Sequence, residues 1–169
     1  YGSWGQGSGG HLTMEDFLDK AKIEMTHAPY KGVAAVVTDL LGNNLPVAWC
    51  DAASVIQHVQ SGKLRALAVS GPTRMATFPG VATMREQGYP FDTTSWYGLF
   101  APANTDPAIQ KRLNELVVGI IKQPAMRERL AALNLPDLPT PDVAGFRRTV
   151  GSDMQVWGGI VKRLGIEAT

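Results

Sequence analysis

An α/β fold with a largely parallel sheet covered by helices is the class this sequence predicts, on three observations. Short apolar runs of strand length alternate with stretches whose apolar residues recur every three or four positions. Eighteen glycines and eleven prolines among 169 residues punctuate these runs, which favours many short elements over a long helical bundle. An apolar share of 44% against 18% charged is that of an ordinary globular chain, with enough residues for one domain or two small lobes.

The chain opens on a glycine-rich loop, Gly2-Ser3-Trp4-Gly5-Gln6-Gly7-Ser8-Gly9-Gly10-His11-Leu12-Thr13, and a helical pattern follows at once. Thr13 with Asp16 three residues on is a weak capping signal, and Phe17, Leu18 and Ala21 line one side of this first helix. Ile23 to Ala28 reads as a strand. Gly32 opens a second helix with Val33, Val36, Val37, Leu40 and Leu41 at helical spacing, and Gly42-Asn43-Asn44 ends it. Leu45 to Cys50 is apolar on both faces, as a central parallel strand should be. Asp51 or Ser54 caps a helix carrying Val55, Ile56 and Val59, which Gly62 stops.

Leu64 to Val69 is the next strand, and turn residues dominate from Ser70 to Pro90, with a short helix at Val81 to Gln87. Thr93 to Phe100 is strand-like. Asp106 then caps a helix with Pro107 at its first position and a stripe of Ile109, Leu113, Leu116, Val117, Ile120 and Ile121. Pro124 starts a shorter helix through Leu133, and Thr140-Pro141-Asp142 starts a long final one. The stripe of that last helix, Phe146, Val150, Met154, Trp157, Ile160, Val161 and Leu164, reads as core packing. The shift near Ser95 from strand-helix alternation to helix after helix marks a lobe boundary, giving expected units of 1–94 and 95–169.

Charge gives no partner. A formal net charge of +1, with the basic residues dispersed, provides no field that argues for nucleic acid or a membrane surface. Cys50 is alone, which excludes an intrachain disulfide and reads as a buried thiol, and no Cys/His spacing resembles a metal site. No apolar run approaches the ~18 residues of a membrane span.

The glycine loop suits an anion. Glycines let backbone amides approach a ligand closely, and the unpaired N–H groups at a helix N-terminus supply positive potential. Main-chain amides with the hydroxyls of Ser3 and Ser8 hold a small carboxylate without adding a mobile charge. Gly5 to Gly10 also satisfies G-x-G-x-x-G formally, but no strand precedes it and no acidic residue ends the next strand, so a dinucleotide is disfavoured. A nucleophile elbow is absent, because Gln6 stands two residues before Ser8. His11, His27 and His58 show no local triad arrangement and read as structural or solvated histidines. Two further strand-to-helix turns, Thr26 to Gly32 and Trp49 to Asp51, converge on the loop if all three leave strand carboxyl ends. Asp51 reads first as a helix cap, and Lys31 either pairs with it, meets the ligand or is solvated.

The loop from Gly2 to Leu12, His27-Ala28-Pro29-Tyr30-Lys31-Gly32, the run Ser61 to Val69 and the run Thr94 to Ala103 together carry a resemblance over nearly the whole chain, in order. The sequence resembles the periplasmic substrate-binding proteins of tripartite tricarboxylate transporters, the Bug family. It departs from that pattern at Ala28, where valine is usual, and modestly over Trp49 to Ala53. The resemblance implies a type II periplasmic-binding-protein-like α/β fold, with one complete Rossmann-like lobe plus the C-terminal part of the other. It implies a non-enzymatic receptor, without a cofactor, that closes an interlobe cleft on a small carboxylic acid, whether a dicarboxylate, an amino acid or an aromatic acid, and delivers it to membrane permease subunits from the periplasm. The export signal and the opposing jaw of the site are expected in sequence not present here. The positions matching the ligand loop are Ser3, Gly5, Gln6, Gly7, Ser8 and His11, with Tyr30 and Asp51 on the adjacent turns.

From the same resemblance, weak ligand affinity and a homodimer or exchange of elements are expected when the opposing jaw is lacking. The rival readings are an interaction module without solute binding and an enzyme that handles an acyl or phosphoryl group on the same loop. Substituting Ser8 with alanine separates these, since a binding protein loses affinity and an enzyme loses turnover.

Overall fold

The computed structural model describes residues 1–89, 96–133, 135 and 139–166. In chain order the elements are β1 (Gly2–Ser3), α1 (Gly9–Ala21), β2 (Ala28–Pro29), α2 (Val33–Leu41), α3 (Ala52–Gln60), α4 (Pro107–Ile121), α5 (Pro124–Ala132) and α6 (Val143–Leu164). They fall in two units, Tyr1–Thr94 with Trp157–Thr169, and Ser95–Val156.

In the first unit β1 is central. It pairs in parallel with β2, Gly2 opposite Ala28 and Ser3 opposite Pro29, and a parallel bridge joins Gly2 to Ala48 on its other side. Pro29 has no N–H to donate, which an edge strand tolerates. The ladder is closed by Gly2 N–H to Val47 O at 3.0 Å, Ala28 N–H to Tyr1 O at 2.8 Å and Tyr30 N–H to Ser3 O at 2.9 Å. A second parallel bridge joins Val69 to Thr83.

The strands are shorter than their apolar runs. Of the expected strand from Ile23 to Ala28 only the end pairs, because β1 offers two residues to pair with, and residues 22–26 are exposed. The runs 45–50 and 64–69 each contribute a single bridge, and Leu67 is exposed. The expected helix at Val81 to Gln87 is instead one turn, which Thr83 and Glu86 close reciprocally, Thr83 N–H donating to Glu86 Oε2 at 2.7 Å and Glu86 N–H to Thr83 Oγ1 at 3.0 Å.

Helices follow their sequence signals more closely. α2 begins after Gly32 and ends at Gly42, and Asn43 takes the left-handed conformation (φ 56°) that asparagine tolerates. Asp51 caps α3 by accepting from Ser54 N–H at 2.9 Å, and Asp106 caps α4 by accepting from Ala108 N–H at 2.7 Å. Asp142 accepts from Gly145 N–H at 2.6 Å at the start of α6. α1 is the exception. It begins at Gly9, with Ser8 as its cap, so that Thr13 and Asp16 lie buried inside the helix rather than at its start. Two glycines at a helix start have low intrinsic propensity, and the cap and tertiary packing override it.

The core of the first unit is Tyr1, Met14 and Leu18, with Phe17 and Val47 packed against them, and Val36 and Val37 buried from α2. In the second unit Trp96, Phe100 and Phe146 form an aromatic cluster, the Trp96 and Phe146 rings meeting edge to face at 5.2 Å. The expected strand Thr93 to Phe100 lies partly outside the described residues, and 96–100 carry no strand pairing. The apolar stripes expected as core are largely open: Ile109, Leu116 and Ile120 of α4 and Met154 of α6 are exposed, while Ile160 is buried. A periodic stripe identifies a face that packing can use; among the described residues no layer covers these positions. No helix among the described residues is long and apolar enough to cross a membrane.

Candidate functional site

Because β1, β2 and the Ala48 stretch are parallel neighbours, the turns that follow them leave the same end of the sheet. Those turns are the glycine loop 4–8, the segment Tyr30 to Gly32, and Trp49 to Asp51. Ser3, Gly5, Gln6, Gly7, Ser8 and His11 are thus brought together on the loop and the first turn of α1. Tyr30 joins them through its N–H bond to Ser3 O, and its own carbonyl lies near Gly5. Asp51 stands two residues beyond Trp49, whose N–H reaches Gly2 O at 3.4 Å. Its carboxylate is occupied by Ser54, accepting from the backbone N–H and from the hydroxyl at 2.8 to 2.9 Å.

The loop is built by its own hydrogen bonds. Ser8 Oγ accepts from His11 N–H at 3.3 Å, Ser8 O accepts from Leu12 N–H at 3.0 Å, and Ser8 N–H donates to Gly5 O at 3.2 Å. Gly7 has φ 68°, a left-handed conformation that a side chain would strain. The amides of Gly9 and Gly10 open the helix and have no intrahelical acceptor. Gly10 is buried beneath the Trp4 indole, whereas Gln6, Gly7 and Gly9 are exposed. The exposed edge of the loop therefore presents backbone, and Lys31 and Gly32 stand exposed on the adjacent turn. Replacing Ser8 with alanine removes the cap and is expected to lower stability by about 1 kcal/mol, measured by urea denaturation; unchanged stability would show that the cap contributes nothing.

Beneath the loop lies a cluster of titratable side chains. Ser3 is fully buried, and its hydroxyl donates to Gly5 O at 3.0 Å and lies 2.7 Å from His27 Nε2. The His27 ring stacks on His11 at 3.9 Å, within 9° of parallel, and on Tyr1 at 4.9 Å from the other side. Gly7 N–H donates to His11 Nδ1 at 3.1 Å, which places the proton of a neutral His11 on Nε2, facing Glu15 Oε1 at 4.0 Å. Glu15 also accepts from the Tyr1 hydroxyl at 2.5 Å; burial, then this bond, push that phenol far above its ordinary value.

Burial is the first cause that holds both imidazoles below their ordinary value near 6.5; His11 adds to the effect on His27, and Glu15 opposes it at both. The folded values lie below the unfolded ones, so as pH falls the unfolded chain takes up protons first. Stability present above about pH 6.5 is therefore expected to decline as the pH drops below it. Urea denaturation at pH 7.5 and 5.5 checks this, and equal stability at both would refute it.

Sequence reasoning missed His27 as a partner of Ser3. The two lie 24 positions apart and meet across neighbouring strands, so no local spacing signals the contact. Tyr30 has its hydroxyl on Asp39 Oδ2 at 2.7 Å, and this bond is the first cause that raises its titration. Cys50 is half-buried outside any strand, its thiol pushed up to about 11 by burial and then by Asp51.

This parallel α/β unit, with its glycine loop at the strand ends, resembles solved structures that include periplasmic and solute-binding proteins. The structure of Rpa4515 from R. palustris with adipate superposes with a TM-score of 0.86 at 27% identity, covering 98% of this chain and 56% of that one. The structure of the periplasmic binding protein BugD gives 0.86 at 27% identity, covering 99% of this chain and 57% of that one. The fold is a partial type II periplasmic-binding-protein fold. The model of the family described as tripartite tricarboxylate transporter family receptor matches residues 1–166, and the chain belongs to that family. Protein BugT of Bordetella pertussis is 36% identical over 162 residues, 94% of this chain and 49% of BugT. The chain thus spans about half the length of BugT and of these two solved structures.

Proposed function

We propose that this chain supplies one jaw of a periplasmic receptor that captures a small carboxylic acid, a dicarboxylate in preference, for membrane permease subunits of a tripartite transporter. Residues 1–94, joined by the end of α6, are its ligand-loop lobe, and 95–156 contribute to the other. The observation that carries this reading is the loop capped by Ser8 at the N-terminus of α1, beside two further turns at the same end of the parallel strands. Exposed backbone at Gln6 and Gly9 suits a carboxylate oxygen, and Lys31 adds a cation at the rim. Ser3 acts from below, its buried hydroxyl shaping the loop. The similar structure of Rpa4515 is one with adipate, which supports an aliphatic dicarboxylate.

Calorimetry with adipate and succinate at pH 7.5 tests this. Micromolar binding of either, weakened about tenfold by Ser8→Ala, is expected of the protein with both jaws. Absence of binding by every small carboxylate, or turnover of an acyl or phosphoryl substrate, would overturn it.

A further inference from the structure

Two imidazoles, the buried His11 and the half-buried His27, each hold one part of the loop. His11 Nδ1 accepts from Gly7 N–H at 3.1 Å, and His27 Nε2 lies 2.7 Å from the Ser3 hydroxyl. Ser3 has a single hydroxyl hydrogen, which Gly5 O accepts at 3.0 Å, so His27 donates through Nε2–H to Ser3 Oγ. The rings are face to face at 3.9 Å, so movement of one displaces the other. These bonds turn the loop's floor into a fixed platform.

We propose that His11 and His27 are a paired positioning unit for the ligand loop, and that the loop keeps its ligand-receiving form only while His11 is uncharged. This rests on the reading of the loop as a carboxylate site. Protonated His11 has no lone pair at Nδ1, so the Gly7 amide faces a donor and the loop must turn away. A second proton would add a like charge at the ring stacked 3.9 Å away. The groups that face the pair are Glu15 of α1, the Tyr1 phenol, and the Tyr1 amino group, which donates to Thr26 O at 2.8 Å. Glu15 favours the proton, while the amino group disfavours it at His27.

Four proteins with both jaws are compared by adipate calorimetry from pH 8 to 5.5: the wild type, His11→Gln, His27→Phe and His27→Gln. Glutamine accepts from the Gly7 amide without titrating, and phenylalanine keeps the stack without the bond to Ser3. Wild-type affinity is expected to fall about tenfold with acidification, and His11→Gln to hold its pH 7.5 affinity at low pH. Adipate titrates identically in both, so their difference belongs to the imidazole. His27→Phe is expected to bind about tenfold more weakly at every pH, and His27→Gln to restore part of that loss. Parallel profiles for the wild type and His11→Gln, or full affinity in His27→Phe, would overturn the proposal.

Imidazole nitrogen and amide NMR on the free protein gives a second reading that needs no ligand. The Gly7 amide resonance should follow the His11 titration, with the neutral proton on Nε2; a proton on Nδ1, or an indifferent Gly7 resonance, overturns the proposal. Failure of adipate and succinate to bind the wild type with both jaws at pH 7.5 refutes the carboxylate reading instead, and the NMR result then decides the histidine pair.

Discussion

Replacing Arg163 with methionine is expected to lower the stability of the first unit by about 2 kcal/mol, because it removes one of the two cations that hydrogen-bond a buried carboxylate. Asp16, on the buried side of α1, is 3% exposed and is met by Arg163 from the end of α6 and by Lys20 Nζ at 2.6 Å. Arg163 also reaches Asp19 Oδ2 at 3.5 Å, so one guanidinium ties two turns of α1 to the final helix. Methionine keeps much of the side-chain volume, so the loss is electrostatic rather than a cavity. Urea denaturation of Asp16→Asn, Arg163→Met and the double variant checks the cause. In the Asp16→Asn background Arg163→Met should cost far less, since the buried charge is gone; equal costs in both backgrounds would mean that Arg163 acts by packing alone.

Gly10→Ala is the second large effect, a loss of about 1–3 kcal/mol from overpacking, together with loss of carboxylate affinity. A Cβ at Gly10 would stand 2.5 Å from Trp4 Cζ3 and 2.8 Å from Cη2, distances that ring atoms cannot relieve without leaving their place. Trp4 lies inside the glycine loop, so displacing it moves the segment that presents Gln6, Gly7 and Gly9. Elsewhere in a helix, glycine to alanine stabilises, which makes the sign of this result diagnostic. Denaturation and adipate calorimetry are the measurements. A Trp4→Leu background should relieve most of the penalty; a Gly10→Ala variant as stable as the wild type would refute the packing account.

Both effects arise where residues distant in sequence meet, and they mark the limit of what the sequence shows. The caps at Asp51 and Asp106, the stop at Gly42 and Asn43, and the start of α5 at Pro124 were legible because each depends on a side chain within a few positions. The glycine loop was legible for the same reason, and the ordered motifs around it identified the family. Strand lengths were not, since apolar runs at 23–28 and 64–69 record a capacity to pair that β1 and Thr83 use over one or two residues. The stripes of α4 and α6 likewise record capacity for burial rather than burial itself.

The class of fold, most of the helices with their caps, and the glycine loop follow from the sequence alone, because they depend on local backbone preference and periodicity. Only the tertiary structure decided that α1 begins at Gly9 beneath Trp4, that Arg163 reaches Asp16, and that His27 stands under Ser3 against His11. Those contacts depend on strand register and helix docking, which bring together side chains separated by up to 147 positions and leave no trace in local spacing.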